Sequence, residues 1–276
     1  MNGKRLIFFL LVLLSGAGVF SAAEPVSHYD VSWHKDMPVT FFSALTCVFG
    51  NYRYSQMDKP EPGDYREVSE LFPWDRPVAG RYSESADRVS DWAAVLGVAP
   101  LALAGASWGL GDASGTDFAA YTLMFAQALA LQSGVNLMVR SLEFWPRPYV
   151  YAKDGYGSGS QDVVEKAEDA RGEAYGSFFS GHTSAAFTIA VFTGEWFSEV
   201  YPNSPYQGIV WATALSAASF EGALRIAAGK HYPTDVVVGA LVGSGISLAV
   251  IKIHKKRDGR FFLWTFPGAA GVTVRF

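Results

Sequence analysis

Charge is scarce in this sequence. Only 17% of its 276 residues are Asp, Glu, Lys or Arg, while half are hydrophobic, and soluble domains usually carry about a quarter charged. That balance points to a bilayer before any motif is read. A single cysteine, Cys47, excludes an intrachain disulfide and any zinc site built on cysteine pairs. The formal net charge is −4 and no lysine or arginine run stands out, so there is no electrostatic footprint for a nucleic-acid partner. There is no internal repeat. The length suits one all-α, membrane-embedded bundle of five to six transmembrane helices, since each span needs about 20 residues.

What is present is a series of apolar runs. Lys4 and Arg5 precede an apolar stretch from Leu6 to about Phe20, followed by Ser21, Ala22 and Ala23. This reads as a secretory signal over 1–23, with an uncleaved anchor helix as the alternative. Either places the following residues outside the cytoplasm, so 24–91 reads as an extracytoplasmic segment. Within it, 37–54 is apolar but broken by Pro38, Thr40, Ser43 and Thr46; it suits a membrane-associated helix as well as a span. Residues 55–91 are charged and proline-containing, and read as water-exposed. The remaining runs lie at about 92–110, 118–139, 183–200 (carrying Glu195), 207–224 and 235–253, within one domain over 92–253, and 254–276 is a tail. The last run leads into Lys252, Lys255, Lys256 and Arg257, while 111–117 and 200–206 carry no basic residue. The positive cluster marks a cytoplasmic end. Counting spans back from it brings 140–182 and 225–235 together on the outer face. The competing reading is a soluble helical protein with buried apolar helices.

Three clusters fall at helix ends on that face. Arg140 is followed after six residues by Arg147 and Pro148; guanidiniums there suit a phosphate at the membrane surface or simply lipid headgroups. Ser180, Gly181 and His182 open an apolar helix, where backbone N–H groups and the helix dipole favour an anion and an imidazole can deliver a proton. An ordinary N-cap beside a bystander histidine is the bland alternative. Arg225 is followed after five residues by His231, and that after three by Asp235. With Pro233 and Asp235 in a first helical turn, the carboxylate can reach back to the imidazole, fix its tautomer and leave the other nitrogen free to attack. The same pair can also be purely structural.

Together, the order and spacing of these clusters resemble the tripartite signature of the type-2 phosphatidic acid phosphatase superfamily, which includes bacterial acid phosphatases and vanadium haloperoxidases. That signature is lysine, six residues, arginine-proline; then proline-serine-glycine-histidine; then serine-arginine, five residues, histidine, three residues, aspartate. The resemblance implies a helical bundle in which His231 becomes phosphorylated, His182 protonates the leaving group and Asp235 orients His231. It implies that Arg140, Arg147, Arg225 and the backbone around Ser180 and Gly181 hold the phosphate. It also implies no cofactor and no metal, a lipid-linked phosphate substrate, and a multi-pass protein of a bacterial inner membrane with its site facing the periplasm. The lipid is phosphatidate-like, a polyprenyl diphosphate or lipid A. A vanadate-dependent peroxidase and a non-catalytic lipid-phosphate binder are the competing functions.

Three positions depart from the signature: Arg140 replaces its lysine, Phe179 its first proline and Leu224 its serine. The last removes a phosphate hydrogen bond worth about 1–3 kcal/mol. Glu221, four residues before Arg225 on one helix face, is placed to clamp that arginine, with simple solvation as the alternative. The 149–179 connection, with Tyr156 and its glycines, is long for a helix link and suits a substrate entrance. His28, His34 and His254 lie outside every motif and read as solvated.

Overall fold

A computed structural model of the chain describes residues 28–61, 63–93, 97–142, 144–157 and 160–256, together with the backbone of 261–266 and 269–274. The signal-like segment 1–23 lies outside these residues. The described chain is a helical bundle of α1 (Trp33–Ser55), α2 (Glu84–Ala93), α3 (Ala99–Gly109), α4 (Gly115–Arg140), α5 (Gln161–Glu168), α6 (Gly181–Val200), α7 (Gln207–Ala227) and α8 (Pro233–His254). In the region expected to be only a tail, β1 (Phe261–Phe266) and β2 (Ala269–Val274) form an antiparallel hairpin.

The long helices turn their large apolar side chains outward. On α8, Val237, Leu241, Leu248 and Ile253 are exposed while Asp235, Gly239, Gly243 and Ser247 are buried. On α1, Trp33, Met37, Phe41, Leu45, Val48 and Tyr52 are exposed over Asp36, Ser43, Thr46 and Gly50. A water-soluble bundle has the reverse arrangement, and apolar patches this large are otherwise interaction surfaces. By length and composition, α4 and α8 are long and apolar enough to cross a membrane. The stripe on α1 from Trp33 to Tyr52 rises ~28 Å, close to the hydrocarbon thickness of about 30 Å, with an aromatic ring at each end as interfacial belts require. The run expected as a span at 92–110 is broken instead. The 11-residue α3, with Pro100 in its first turn, rises only ~16 Å.

Small residues let the helices approach. A Cβ on Gly50 would lie 2.5 Å from the carbonyl oxygen of Gly134, and one on Gly134 would lie 2.5 Å from the Cys47 nitrogen. On the other side of the bundle, Gly239 and Gly243 bring α8 onto the backbone of Ser180 and Ser184 in α6; a Cβ on Gly243 would lie 2.1 Å from the Ser184 oxygen. This contact fixes the start of α6 against the start of α8.

The α1–α4 contact is parallel. Gln127 donates to Thr40 at 2.9 Å and Arg140 donates to the Tyr54 hydroxyl, so both helices run from one end of the bundle to the other. At the far end, Tyr29 and Lys255 form an antiparallel bridge and Asp30 N–H donates to His254 O at 2.8 Å. Residues 28–36 therefore lie at the same end as 252–256. The expectation that these segments occupy opposite faces is corrected, because α1 traverses the bundle beside α4. The solvated reading of two histidines is corrected with it. His254 is fully buried, with its ring nitrogens 2.8 Å from Val250 O and 2.9 Å from Asp36 Oδ1. His28 engages Asp117 through its backbone N–H at 2.8 Å and its ring at 3.3 Å. His34 is exposed, as expected.

Nor is 55–91 merely a solvated approach. Leu71, Val78 and Ala79 are buried with Trp145, Tyr151 and Tyr232, so this segment folds over the opposite end of the bundle. Exposed positions His34, Lys256 and Asp162 test the sidedness. As single cysteines in a Cys47→Ala background, positions 34 and 256 should react alike with an impermeant thiol reagent in intact cells, and position 162 oppositely. Opposite labelling of 34 and 256 would refute the parallel α1–α4 pairing.

Candidate active site

The first turn of α8 organises the site. Pro233 starts the helix, Tyr232 is its N-cap, and Asp235 at the third helical position reaches back to accept the Tyr232 N–H at 3.0 Å. Proline fits at the first helical position because an N–H there would have no intrahelical acceptor. The same carboxylate oxygen lies 3.4 Å from His231 Nδ1 and accepts the Ser177 hydroxyl at 2.6 Å. Asp235 is fully buried and His231 is 2% exposed. The backbone carbonyl of Asp235 accepts the Ser180 N–H at 3.0 Å, which ties the start of α6 to the start of α8.

Ser180 is the N-cap of α6, its hydroxyl accepting from the Thr183 N–H at 3.3 Å and the Thr183 hydroxyl at 2.9 Å. Ser180 thus accepts within the first turn of α6 through its hydroxyl and gives its N–H to Asp235 O. The first-turn N–H groups of Gly181 and His182 have no carbonyl four residues earlier within the helix. Gly181 is glycine for space, since a Cβ there would lie 2.7 Å from Asn136 Oδ1. Asn136 in turn donates to Phe179 O at 2.6 Å, fixing the residue that stands for the signature proline. His182 is exposed and close enough for its charge to act on His231.

The arginines divide into two kinds. Arg140 is 9% exposed and donates through Nε to Gly176 O and through a terminal nitrogen to the Tyr54 hydroxyl and, at 3.4 Å, to Glu173 O. Its guanidinium also stacks over the Tyr54 ring at 4.4 Å. Nε and one terminal nitrogen of Arg140, expected among the phosphate ligands, are thus already engaged by backbone carbonyls and the Tyr54 hydroxyl. Arg147 and Arg225 each keep a buried Nε that has no hydrogen-bond partner among the described residues. Arg225 is steadied by α2, donating to Ser90 Oγ at 2.6 Å and to Asp87 Oδ1 at 3.3 Å, with Asp91 at 3.7 Å. Lys230 joins the network at 2.9 Å from Asp87.

Glu221 is not the clamp on Arg225. It is buried, yet both its carboxylate oxygens are without a hydrogen-bond partner among the described residues, and α2 takes the role instead. Ser177, Asp87, Ser90 and Lys230 are the site residues that sequence reasoning missed. Asp87, Ser90 and Asp91 recur at helical spacing, the one local sign that could have drawn attention to them.

Burial first, then the positive charges of Arg147, Arg225 and Arg140, hold the His231 imidazole well below the usual histidine pKa; desolvation and the same arginines lower His182 to about 4. The structure thus gathers a neutral, buried imidazole, two guanidiniums with orphaned donors and the opening turn of α6. A buried donor without a partner costs about 1–3 kcal/mol, so such a pocket favours an anion with several acceptor oxygens.

Comparison with known proteins agrees with this geometry. The chain is 34% identical over 94 residues to a protein named lipid A 4'-phosphatase from Porphyromonas gingivalis, an alignment covering 34% of this chain and 36% of that protein. The chain therefore spans about a third of the length of that relative. No solved structure matches it. A sequence profile described as the PAP2 superfamily matches residues 120–258, half of the chain including both histidines and the arginines around them, and the protein belongs to that superfamily.

Proposed function

We propose that the protein is a membrane phosphatase that hydrolyses a lipid-borne phosphate through a phosphohistidine on His231. The observation that carries this reading is the pair of orphaned guanidinium donors, on Arg147 and Arg225, beside an imidazole whose Nδ1 faces the buried Asp235. With Nδ1 protonated and turned to the carboxylate, Nε2 holds the lone pair. It attacks phosphorus, the N–P bond forms, and the ester P–O bond breaks as His182 passes its proton to the departing alkoxide. Water then attacks the phosphohistidine, His182 takes a proton from it, and inorganic phosphate leaves. Arg147, Arg225 and the first-turn N–H groups of Gly181 and His182 balance the charge that spreads over the phosphoryl oxygens. No divalent metal is needed for that balance.

The bundle stands in the membrane with the site at its outer face. Lys35, Lys252, Lys255 and Lys256 share the opposite end, which this reading takes as cytoplasmic. Residues 28–36 then lie inside, so the signal-like segment does not deliver them outside. Among the lipid substrates considered, a lipid A phosphate is favoured, because the aligned relative bears that activity in its name. Phosphate release from purified protein given lipid A, phosphatidate and a polyprenyl diphosphate tests the reading; release from none of them would end it.

The two histidines should fail differently. His231→Ala should abolish turnover and the phosphoenzyme together, whereas His182→Ala should slow an alkoxide leaving group ~100- to 10,000-fold. Nitrophenyl phosphate, whose leaving group needs no proton, should partly rescue the second variant and never the first. A phosphohistidine mapped to His182 would reverse the assignment. EDTA should leave the rate within about twofold, since the arginines supply the positive charge; a tenfold loss restored by magnesium would count against the mechanism.

The depressed His231 pKa sets the sign of the pH dependence. A nucleophile must be unprotonated, so activity is present above its pKa and is lost as pH falls through it. Phosphoenzyme formation in single turnover from nitrophenyl phosphate, whose leaving group does not need the His182 proton, should therefore hold its rate down to pH values below the usual histidine pKa of about 6.5. An acid limb at about pH 7 or above would be inconsistent with the buried neutral imidazole.

A further inference from the structure

Within the proposed phosphohistidine mechanism, we infer that Ser177 is a positioning residue, whose hydroxyl fixes the Asp235 carboxylate and through it the reactive tautomer of His231. The direct Asp235 Oδ2–His231 Nδ1 separation is 3.4 Å, long for an N–H···O bond, which usually measures 2.7–3.2 Å. The Ser177 hydroxyl lies beside both, 2.6 Å from Asp235 Oδ2 and 3.4 Å from His231 Nδ1. A serine hydroxyl has one proton to give. Its other acceptor, Lys230 O, is at 3.4 Å, so the short contact takes the proton. Oδ2 then accepts from Ser177 and from the Tyr232 N–H at 3.0 Å, which commits it to accepting from Nδ1 as well. The shared proton stays on Nδ1, and Nε2 is left with its lone pair.

The hydroxyl is held in place from both sides. The Ser177 N–H donates to Trp145 O at 2.7 Å, in the parallel bridge between Trp145 and Gly176. The carbonyl of Gly176 is taken by Arg140 Nε. Ser177 has no exposed surface. The line Tyr54–Arg140–Gly176–Ser177–Asp235–His231 is therefore continuous, and it gives Arg140 a function in the site other than binding phosphate. The second carboxylate oxygen, Asp235 Oδ1, has no hydrogen-bond partner among the described residues, so none of them holds that side if Ser177 lets go.

Ser177→Ala and Ser177→Cys separate this role from packing, because cysteine keeps the volume and offers only a weak donor. Both should lower kcat ~10- to 100-fold, the loss expected for one hydrogen bond to a charged group, with KM within about threefold. In an Asp235→Asn background the same changes should cost less than about threefold, since residues acting as a unit are non-additive. Full activity in Ser177→Cys, or an undiminished further loss in the Asp235→Asn background, would overturn the inference. Nitrogen NMR of ring-labelled histidine gives a readout independent of turnover, with the His231 signal assigned by its absence in His231→Gln. The wild type should show the Nδ1–H tautomer and Ser177→Cys a mixture. Identical tautomers in the two proteins would overturn the inference even if phosphate is released. A locked tautomer in a wild type that releases no phosphate would instead fall on the proposed function.

Discussion

The carboxylate of Asp235 is where four parts of the molecule meet. Through Oδ2 it caps the first turn of α8, receives Ser177 and faces His231, and through its backbone carbonyl it holds the Ser180 N–H at the start of α6. Burial raises the Asp235 carboxyl to about 7, and the hydrogen bonds from Ser177 and the Tyr232 N–H pull it back toward the ionised form. Several donors converge on it, and each is anchored elsewhere in the fold. The cost of burial is thereby converted into position, since displacing Asp235 would strip a helix cap, a loop and the imidazole of a partner at once. The close α6–α8 packing at Gly239 and Gly243 belongs to the same constraint, because only small residues bring the two helix starts within hydrogen-bonding distance.

The arrangement of the lipid-facing surface follows from what the interior must contain. A site made of guanidiniums, imidazoles and carboxylates requires polar and small residues on the inner faces of α1, α4 and α8. The large apolar side chains are then displaced outward, where acyl chains accept them. Segment 55–91 closes the polar end. Its Asp75 receives the Thr234 N–H at 3.1 Å and its Trp74 donates to the Thr234 hydroxyl at 2.8 Å, so the first turn of α8 is covered by sequence far from it in the chain.

Much of this was legible in the sequence where the informative residues are close along the chain. His231 and Asp235 are four apart at a helix start, and Arg147 stands seven after Arg140 at the end of an apolar run, so pattern alone placed them at one end of the bundle. The sidedness of α1 was not legible. Its polar inner face, with Asp36, Ser43 and Thr46, lowers its hydropathy, and its pairing with α4 depends on contacts more than 80 residues apart in sequence, such as Arg140 with Tyr54. Asp87 and Ser90 were missed for the same reason, since each reaches Arg225 across more than 130 residues. Ser177 carries no local signal at all; a serine two residues before a phenylalanine is ordinary until Asp235 is placed beside it. His254 looked like part of a basic tail because Lys255 and Lys256 follow it, and only the return of Asp36 buries it.

The two departures from the family signature that bear on charge are accommodated in different ways. At position 140, the longer fork of arginine reaches the carbonyls of Gly176 and Glu173 and the hydroxyl of Tyr54, so a positive charge remains near the site while its donors brace the loop that carries Ser177. At position 224, leucine brings no hydroxyl to the phosphate, but the neighbouring Arg225 is steadied by Ser90 and Asp87 from α2, which leaves its Nε unpartnered. Arg147 is left in the same condition. The two guanidiniums that keep an orphaned donor therefore lie on the side of 145–148 and α7 rather than at the end of α4. This geometry explains why the loss of the signature serine need not cost the site its charge complementarity: the guanidinium beside it is oriented by a helix that lies outside the signature altogether.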